Sequence, residues 1–187
     1  MASRLHLGLA GLAAAAVLGG TVLTAGSGMA AVSHGSGSAA MAMPTAPAGH
    51  RCYIGDLSAG LHPQQPRTRD YGFILTLTNV SGSPCWIYGY PGLGLENANR
   101  HVLRSRTFWG STSFDTDPGR QMIALSPGET ASGDVAFAAG CGGALASYLK
   151  VTPPNDYLHF VLRIPGGPYG ICRGNLYATA MSRHTPF

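Results

Sequence analysis

Residues 77–92 read LTNVSGSPCWIYGYPG, and this stretch decides the fold. It closes a segment in which Phe73, Leu75 and Leu77 alternate with Ile74, Thr76 and Thr78, the period of two that marks a strand with one buried face. Ser81-Gly82-Ser83-Pro84 then supplies turn chemistry, since Gly tolerates positive φ, Pro fixes φ and Ser bonds its own backbone. Cys85 to Tyr88 resumes a strand, and Gly-Tyr-Pro-Gly at 89–92 makes a rigid corner. Strand, turn, strand and corner follow one another with no room for a helix.

The same period recurs outward from this point. Leu158, Phe160, Leu162 and Ile164 alternate with His159, Val161 and Arg163. Further strands are expected over 52–57, 102–106, 122–125, 133–138, 148–152 and 175–181, with turns at Asn97-Ala98-Asn99, Ser126-Pro127-Gly128 and Pro165-Gly166-Gly167-Pro168. A helical turn is expected only at 143–148. Many short strands between Gly/Pro turns argue for an all-β chain folded as a β-sandwich. Antibody-type hallmarks are not met, because Trp86 adjoins Cys85 and Tyr169 lies three residues before Cys172, not two. An immunoglobulin-like β-sandwich with its own topology fits best.

The N-terminus reads as a signal peptide over residues 1–30: Arg4 ends a basic segment, residues 5–23 are apolar, and Gly28 and Ala30 provide the small side chains of a cleavage site. The apolar run is near the ~17–25 residues of a membrane span, but its Gly and Ala content argues against an anchor, so no stable span is expected after processing. Residues 31–50 are nearly all Ala, Gly, Ser, Pro, Met and Thr, a flexible linker without bulk for a core. Residues 51–187 form one β-sandwich domain, long enough to bury about two thirds of its unfolded surface.

The formal charge is +4 with a pI near 9.0, yet only 11% of residues are charged. There is no Lys/Arg run, zinc-finger spacing or recognition helix, which excludes nucleic acid as a partner. A basic exported protein meets anionic wall polymers instead. Four cysteines in an exported chain imply two disulfides, with three pairings open. No Cys-x-x-Cys or Cys/His cluster offers metal spacing.

Three motifs and the cysteine order carry a resemblance. Asn-x-Ser-Gly-x-x-Cys runs from Asn79 to Cys85, Gly-Tyr-Pro-Gly from Gly89 to Gly92, and Leu-x-Pro-Gly-x-x-Ala from Leu125 to Ala131. Together they resemble the actinobacterial secreted domain of unknown function 4232 family, from about Cys52 to the C-terminus. The resemblance implies export, an immunoglobulin-like sandwich and one disulfide in each half. With each pair bracketing strand-turn-strand material, the expected bridges are Cys52 with Cys85 and Cys141 with Cys172. It implies no ligand.

The residues carry little catalytic signal. The Gly-x-Ser-x-Gly elbow is absent, the cysteines are committed to bridges, and His159 alternates with core positions as a surface residue. Asp115 and Asp117 in FDTDPG fit a turn whose carboxylates bond nearby N–H groups, because the bidentate Glu of a calcium loop is missing. His34, His50, Met41 and Met43 offer copper-type ligands, but a terminal copper site would need a cut after Ala31. Neither catalytic residue, metal nor cofactor is assigned.

The binding candidates are Arg100, Arg104, Arg106 and Trp109. If 100–106 is a strand, the three arginines share one face, and guanidinium forks suit phosphate and carboxylate oxygens. Trp109, beside Phe108 in an expected loop, offers a ring for stacking. Tyr88, Tyr90 and Pro91 read as a folding corner with no ligand. The expected function is an exported noncatalytic binding or structural module, secreted or associated with the cell envelope, whose partner is an anionic cell-wall polymer or an extracellular protein. A secreted hydrolase is the rival, and a secreted inhibitor of extracellular enzymes the third reading, though no reactive loop is identifiable.

Overall fold

The computed structural model describes residues 49–183. The expected signal peptide, most of the linker, His34, Met41, Met43 and His184 lie outside the described residues. In chain order the strands are β1 (His50–Arg51), β2 (Leu57–Pro63), β3 (Asp70–Asn79), β4 (Cys85–Tyr88), β5 (Gly92–Glu96), β6 (Val102–Leu103), β7 (Arg106–Trp109), β8 (Met122–Leu125), β9 (Thr130–Ala138), β10 (Leu145–Ala146), β11 (Tyr148–Thr152), β12 (Phe160–Arg163), β13 (Tyr169–Gly170) and β14 (Asn175–Ala178). Two 3-10 turns, Ile54–Asp56 and Cys172–Gly174, are the only helical segments among the described residues.

One layer is a five-stranded sheet in the order β2-β3-β9-β14-β7. The facing layer combines a three-stranded sheet, β1-β4-β8, with a four-stranded one, β12-β11-β5-β6. The Gly89–Gly92 corner lets the chain pass from β4 in the first of these to β5 in the second. Alternation in β3 is as the pattern dictates: Phe73, Leu75 and Leu77 are buried while Ile74, Thr76 and Thr78 are only partly so. They meet Ile87, Leu95, Ile123, Leu125, Leu149 and Val151 of the other layer in one apolar core. Phe137 joins it with Phe73 at 5.5 Å and Tyr169 at 5.3 Å between ring centroids. Burying such side chains contributes about 1.5–3 kcal/mol each.

Both expected disulfides are present, Cys52–Cys85 and Cys141–Cys172. The first is sealed in the core, both residues being fully buried. The second is on the surface, with Cys141 exposed and Cys172 half-buried. Closing loops of 33 and 31 residues, each stabilises by roughly 3–4 kcal/mol in the chain-entropy treatment.

The motif segment at 79–85 is a hydrogen-bond knot. Asn79, fully buried, donates from Nδ2 to the carbonyls of Ser83 and Leu125, both at 2.9 Å, and its Oδ1 accepts from Ser81 N at 2.9 Å and Ser81 Oγ at 2.8 Å. The end of β3, the turn and β8 are thereby tied through one amide. This accounts for the Asn and Ser of the motif without any ligand.

The outer face of the five-stranded sheet is crossed by the segment 110–118. Phe114 lies against Gly72, where a Cβ would come within 2.7 Å of the ring. Arg67 stacks on Phe114 at 5.1 Å and donates to Ser113 O at 2.7 Å. Beneath the segment, buried Asp134 accepts from Thr112 Oγ1 and Gln64 Nε2.

Several expected elements are corrected. Residues 54–56 are a 3-10 turn and the strand starts at Leu57, running on to Pro63; its seven residues pair with β3, and a prolyl end suits an edge strand. Residues 145–146 form β10 against β13 where a helical turn was expected. The run 102–106 is not one strand. β6 pairs with β5 in one layer, β7 with β14 in the other, and the chain changes layers at Arg104-Ser105. The last strand stops at Ala178, and Leu158 is exposed ahead of β12. His50, placed at the end of the linker, already pairs with Cys85.

Candidate functional site

The layer change at Arg104-Ser105 creates a concavity. The carbonyl of Arg104 packs directly on the backbone of Gly174, which sits at φ +68° and leaves no room for a Cβ. Arg104, Arg106 and Arg173 therefore converge on one cleft of about 730 Å³, whose opposite wall contains Gly142 and Gly143. The Cys141–Cys172 bridge fastens that wall to the turn carrying Arg173. The floor is apolar, with Leu95, Leu103 and Ile171.

Its electrostatics are one-sided. No carboxylate lines the cleft. All three arginines are exposed. Arg106 rests on the Phe108 ring at 4.8 Å, and neither Arg104 nor Arg173 has a hydrogen-bond or ion-pair partner among the described residues. Guanidinium groups stay charged at any physiological pH and present planar forks to phosphate or carboxylate oxygens. Unpaired forks around a concave surface thus form an anion-attracting site, strongest at low salt.

The carboxylates are engaged elsewhere. Glu96 takes Arg100 Nε at 2.6 Å. Glu129 accepts from Ser126 N at 2.8 Å, which with Arg183 at 3.5 Å holds its carboxyl below the usual range. Burial pushes the Asp156 carboxyl up, but hydrogen bonds from the Leu158, Tyr157 and Ile54 amides outweigh it and leave the group lowered. Asp134 is raised by its burial, against the pull of Thr112 and Gln64. In the Asp115-Asp117 turn, Asp115 Oδ1 accepts from Thr116 N and Asp117 Oδ1 from Ala180 N, each at 2.8 Å.

The arginine pattern expected from the sequence is split by this geometry. Arg104 and Arg106 do come together, through the cleft. Arg100 does not join them: it lies in the turn between β5 and β6 at φ +65°, held by Glu96 and stacked on Tyr148 at 4.9 Å. Trp109 ends β7 instead of lying in a loop, and it sits outside the cleft, bonded through Nε1 to Pro91 O at 3.1 Å. Arg173 was not singled out, because nothing in Cys-Arg-Gly marks it; the parallel pairing of Asn175 with Arg106 and the contact of Gly174 with Arg104 O carry it to the cleft.

Hydrolytic chemistry finds no such convergence among the described residues. His50 meets Asp56 at 3.1 Å, yet Asp56 also accepts from Tyr53 N and no Ser hydroxyl bonds either group. His62 contacts Thr76 Oγ1 at 3.4 Å. His101 and His159 are exposed. No group of three or more His, Cys, Asp or Glu that could hold a metal occurs among the described residues, and none of the helices found there is long and apolar enough to cross a membrane.

The family described as Domain of unknown function (DUF4232) matches residues 52–182, and the chain belongs to that family. No curated protein and no solved structure matches it.

Proposed function

We propose that this family member is an exported, noncatalytic binding module that holds the anionic groups of a cell-envelope polymer in the cleft of Arg104, Arg106 and Arg173. The observation that carries the reading is the convergence of three arginines on one concave surface with no carboxylate among its lining residues. Export is supported by the signal-like residues 1–30, by the linker composition of 31–50 and by two disulfides, which persist in oxidising compartments. An actinobacterial envelope is what the motif resemblance adds. The small charged fraction, 11%, sharpens the argument, because there is little general surface charge for a polyanion to use elsewhere.

The test compares two double variants of equal net charge in the full mature protein. Arg104→Ser with Arg173→Ser removes two cleft charges; Arg51→Ser with Arg163→Ser removes two charges elsewhere. Binding to a glycerol-phosphate polymer is measured by calorimetry at low and physiological salt. The cleft pair should lose affinity tenfold or more, about 1.4 kcal/mol, and the control pair far less. Equal losses in both would reduce the effect to net charge and sink the reading.

A further inference from the structure

We propose that a second pocket, at the far end of β7 from the arginine cleft, receives a single glycosyl ring of a polysaccharide by stacking it on Trp109. The pocket encloses about 310 Å³ between the Gly89–Gly92 corner and the residues that follow β11. That is the lower end of the ~300–1,000 Å³ typical of small-molecule sites, room for one or two sugar rings.

Trp109 is the anchor. It is 55% exposed, yet it is not free to move: Nε1 donates to Pro91 O at 3.1 Å, and one face lies on Tyr90 with ring centroids 5.5 Å apart and planes 18° from parallel. Tyr90 is fixed in turn by its hydroxyl, which donates to Asp117 at 2.5 Å. That bond, with burial and the Asp117 charge, holds the phenol above its ordinary range. The indole has thus committed its polar atom and one face, and what remains is a rigid apolar platform. A platform ordered in advance binds without the usual ordering cost, and an aromatic face accepts the C–H side of a sugar ring.

Polar groups surround the platform in a mixture. Arg120 lies over Tyr90 at 5.7 Å and has no hydrogen-bond or ion-pair partner among the described residues. Asn155, at φ +65°, donates from Nδ2 to Tyr88 O at 3.1 Å, which leaves its Oδ1 to accept. The Thr152 hydroxyl, also in the pocket, can donate and accept. Donors and acceptors together around an apolar face suit hydroxyl groups, which do both. The pocket's one carboxylate, Asp156, has its oxygens engaged by the Ile54, Tyr157 and Leu158 amides, so the site binds without cleaving. A proline-rich peptide would call for rings flanking a groove, whereas Tyr90 and Trp109 are stacked into one platform.

This site does not depend on the arginine cleft. The two are joined by β7, along which Arg106 and Trp109 stand about 10 Å apart and, three residues apart on a strand, project to opposite faces.

The test uses the full mature protein and neutral tetrasaccharides of N-acetylglucosamine, glucose, galactose, mannose and arabinose, with a proline-rich decapeptide beside them. The readout is the indole N–H resonance of Trp109, with Trp86 as the internal reference. At least one sugar should shift the Trp109 signal with a Kd of about 10 mM or tighter and leave Trp86 in place. Trp109→Ala should abolish binding, detected by calorimetry; Arg120→Ala, at a side chain without a hydrogen-bond or ion-pair partner among the described residues, should weaken it severalfold with the fold intact. The Arg104→Ser/Arg173→Ser protein should bind the neutral sugar unchanged, so failure of the cleft reading and failure of this one are separable. No shift at Trp109 from any sugar, or a shift from the peptide alone, overturns the proposal.

Discussion

Replacing Asn79 by Asp changes one NH₂ into one oxygen and should cost more than most changes of side-chain size. In the native fold the Asn79 amide makes four side-chain hydrogen bonds, two given to Ser83 O and Leu125 O and two received from Ser81. Asp keeps the two it receives. It loses both that it gives, and it turns a negative oxygen toward two carbonyl oxygens at a site with no solvent exposure. A buried polar group left unpaired costs about 1–3 kcal/mol, and more where a charge is involved; Leu125 O bears that cost, Ser83 O keeps only the Ser81 hydroxyl at 2.9 Å, and with the buried charge the loss comes to roughly 3–5 kcal/mol. Against a total stability of about 5–15 kcal/mol, this should lower Tm by roughly 10–20 °C. The variant also acquires a pH signature. Burial raises the new carboxyl above its unfolded value near 3.9, so its contribution is most favourable below that value and worsens as pH rises through the folded one. Urea denaturation under non-reducing conditions should therefore show a large deficit at pH 7 that shrinks toward pH 4. Ser81→Ala, which removes one hydroxyl from the same knot, should cost only about 0.5–1.5 kcal/mol. An Asn79→Asp protein within 1 kcal/mol of the parent at pH 7, by an order-of-magnitude criterion, would refute the account of the knot.

Gly174→Ala forces a Cβ into the Arg104 carbonyl at a positive φ, and should destabilise by about 3 kcal/mol or more in urea melts; a variant of parental stability would show that the layer change does not need this approach. Native protein treated with mild reductant and alkylated should lose Cys141–Cys172 first, because Cys52 and Cys85 are fully buried, and its affinity for the anionic polymer should fall while stability drops only by the ~3–4 kcal/mol of one bridge. Simultaneous labelling of all four cysteines, seen by mass spectrometry, would contradict this. For Asp134, whose carboxyl is raised by burial, stability is fullest below the unfolded value and declines as pH rises through the folded one. Asp134→Asn should lack that decline, so its urea midpoint should gain on the parent between pH 4 and 7, and parallel pH profiles would count against the buried charge.

What the sequence made legible follows from where side chains alone decide the outcome. β3 shows its alternation because one face meets the core and the other does not, and Cys85–Tyr88, Met122–Leu125 and Tyr148–Thr152 emerge with the bounds expected. β2 and β5 did not show, since LSAGLHP and GLGLE have little intrinsic strand preference; partners β3 and β11 impose their register. The 102–106 run looked continuous because nothing local marks a change of layer. Its cause is a backbone contact with Gly174, far away in sequence. The site inherits the same limit. Arg104 and Arg106 were visible as neighbours in the chain, whereas Arg173 reaches them only through the pairing of β14 with β7, and Arg100 leaves them because a turn and Glu96 claim it. At the second pocket, Trp109 was visible as a stacking ring, while Tyr90 was read as pure folding geometry and proves to be the support under that ring.

The position of β14 bears on how the molecule comes to exist at all. The last strand among the described residues, Asn175–Ala178, lies inside the five-stranded sheet, antiparallel to β9 on one side and parallel to β7 on the other. A chain emerging N-terminus first, from a ribosome or through a narrow channel, has no sheet partner for β7 until residues 175–178 are out. Until then β7 and the outer edge of β9 stay open, and closure rests on pairings between distant residues, which are slow to form. The domain is built to be finished all at once, at its end: a molecule that can be threaded while incomplete, exposed to mispairing during that interval, and locked when the last strand slides into place.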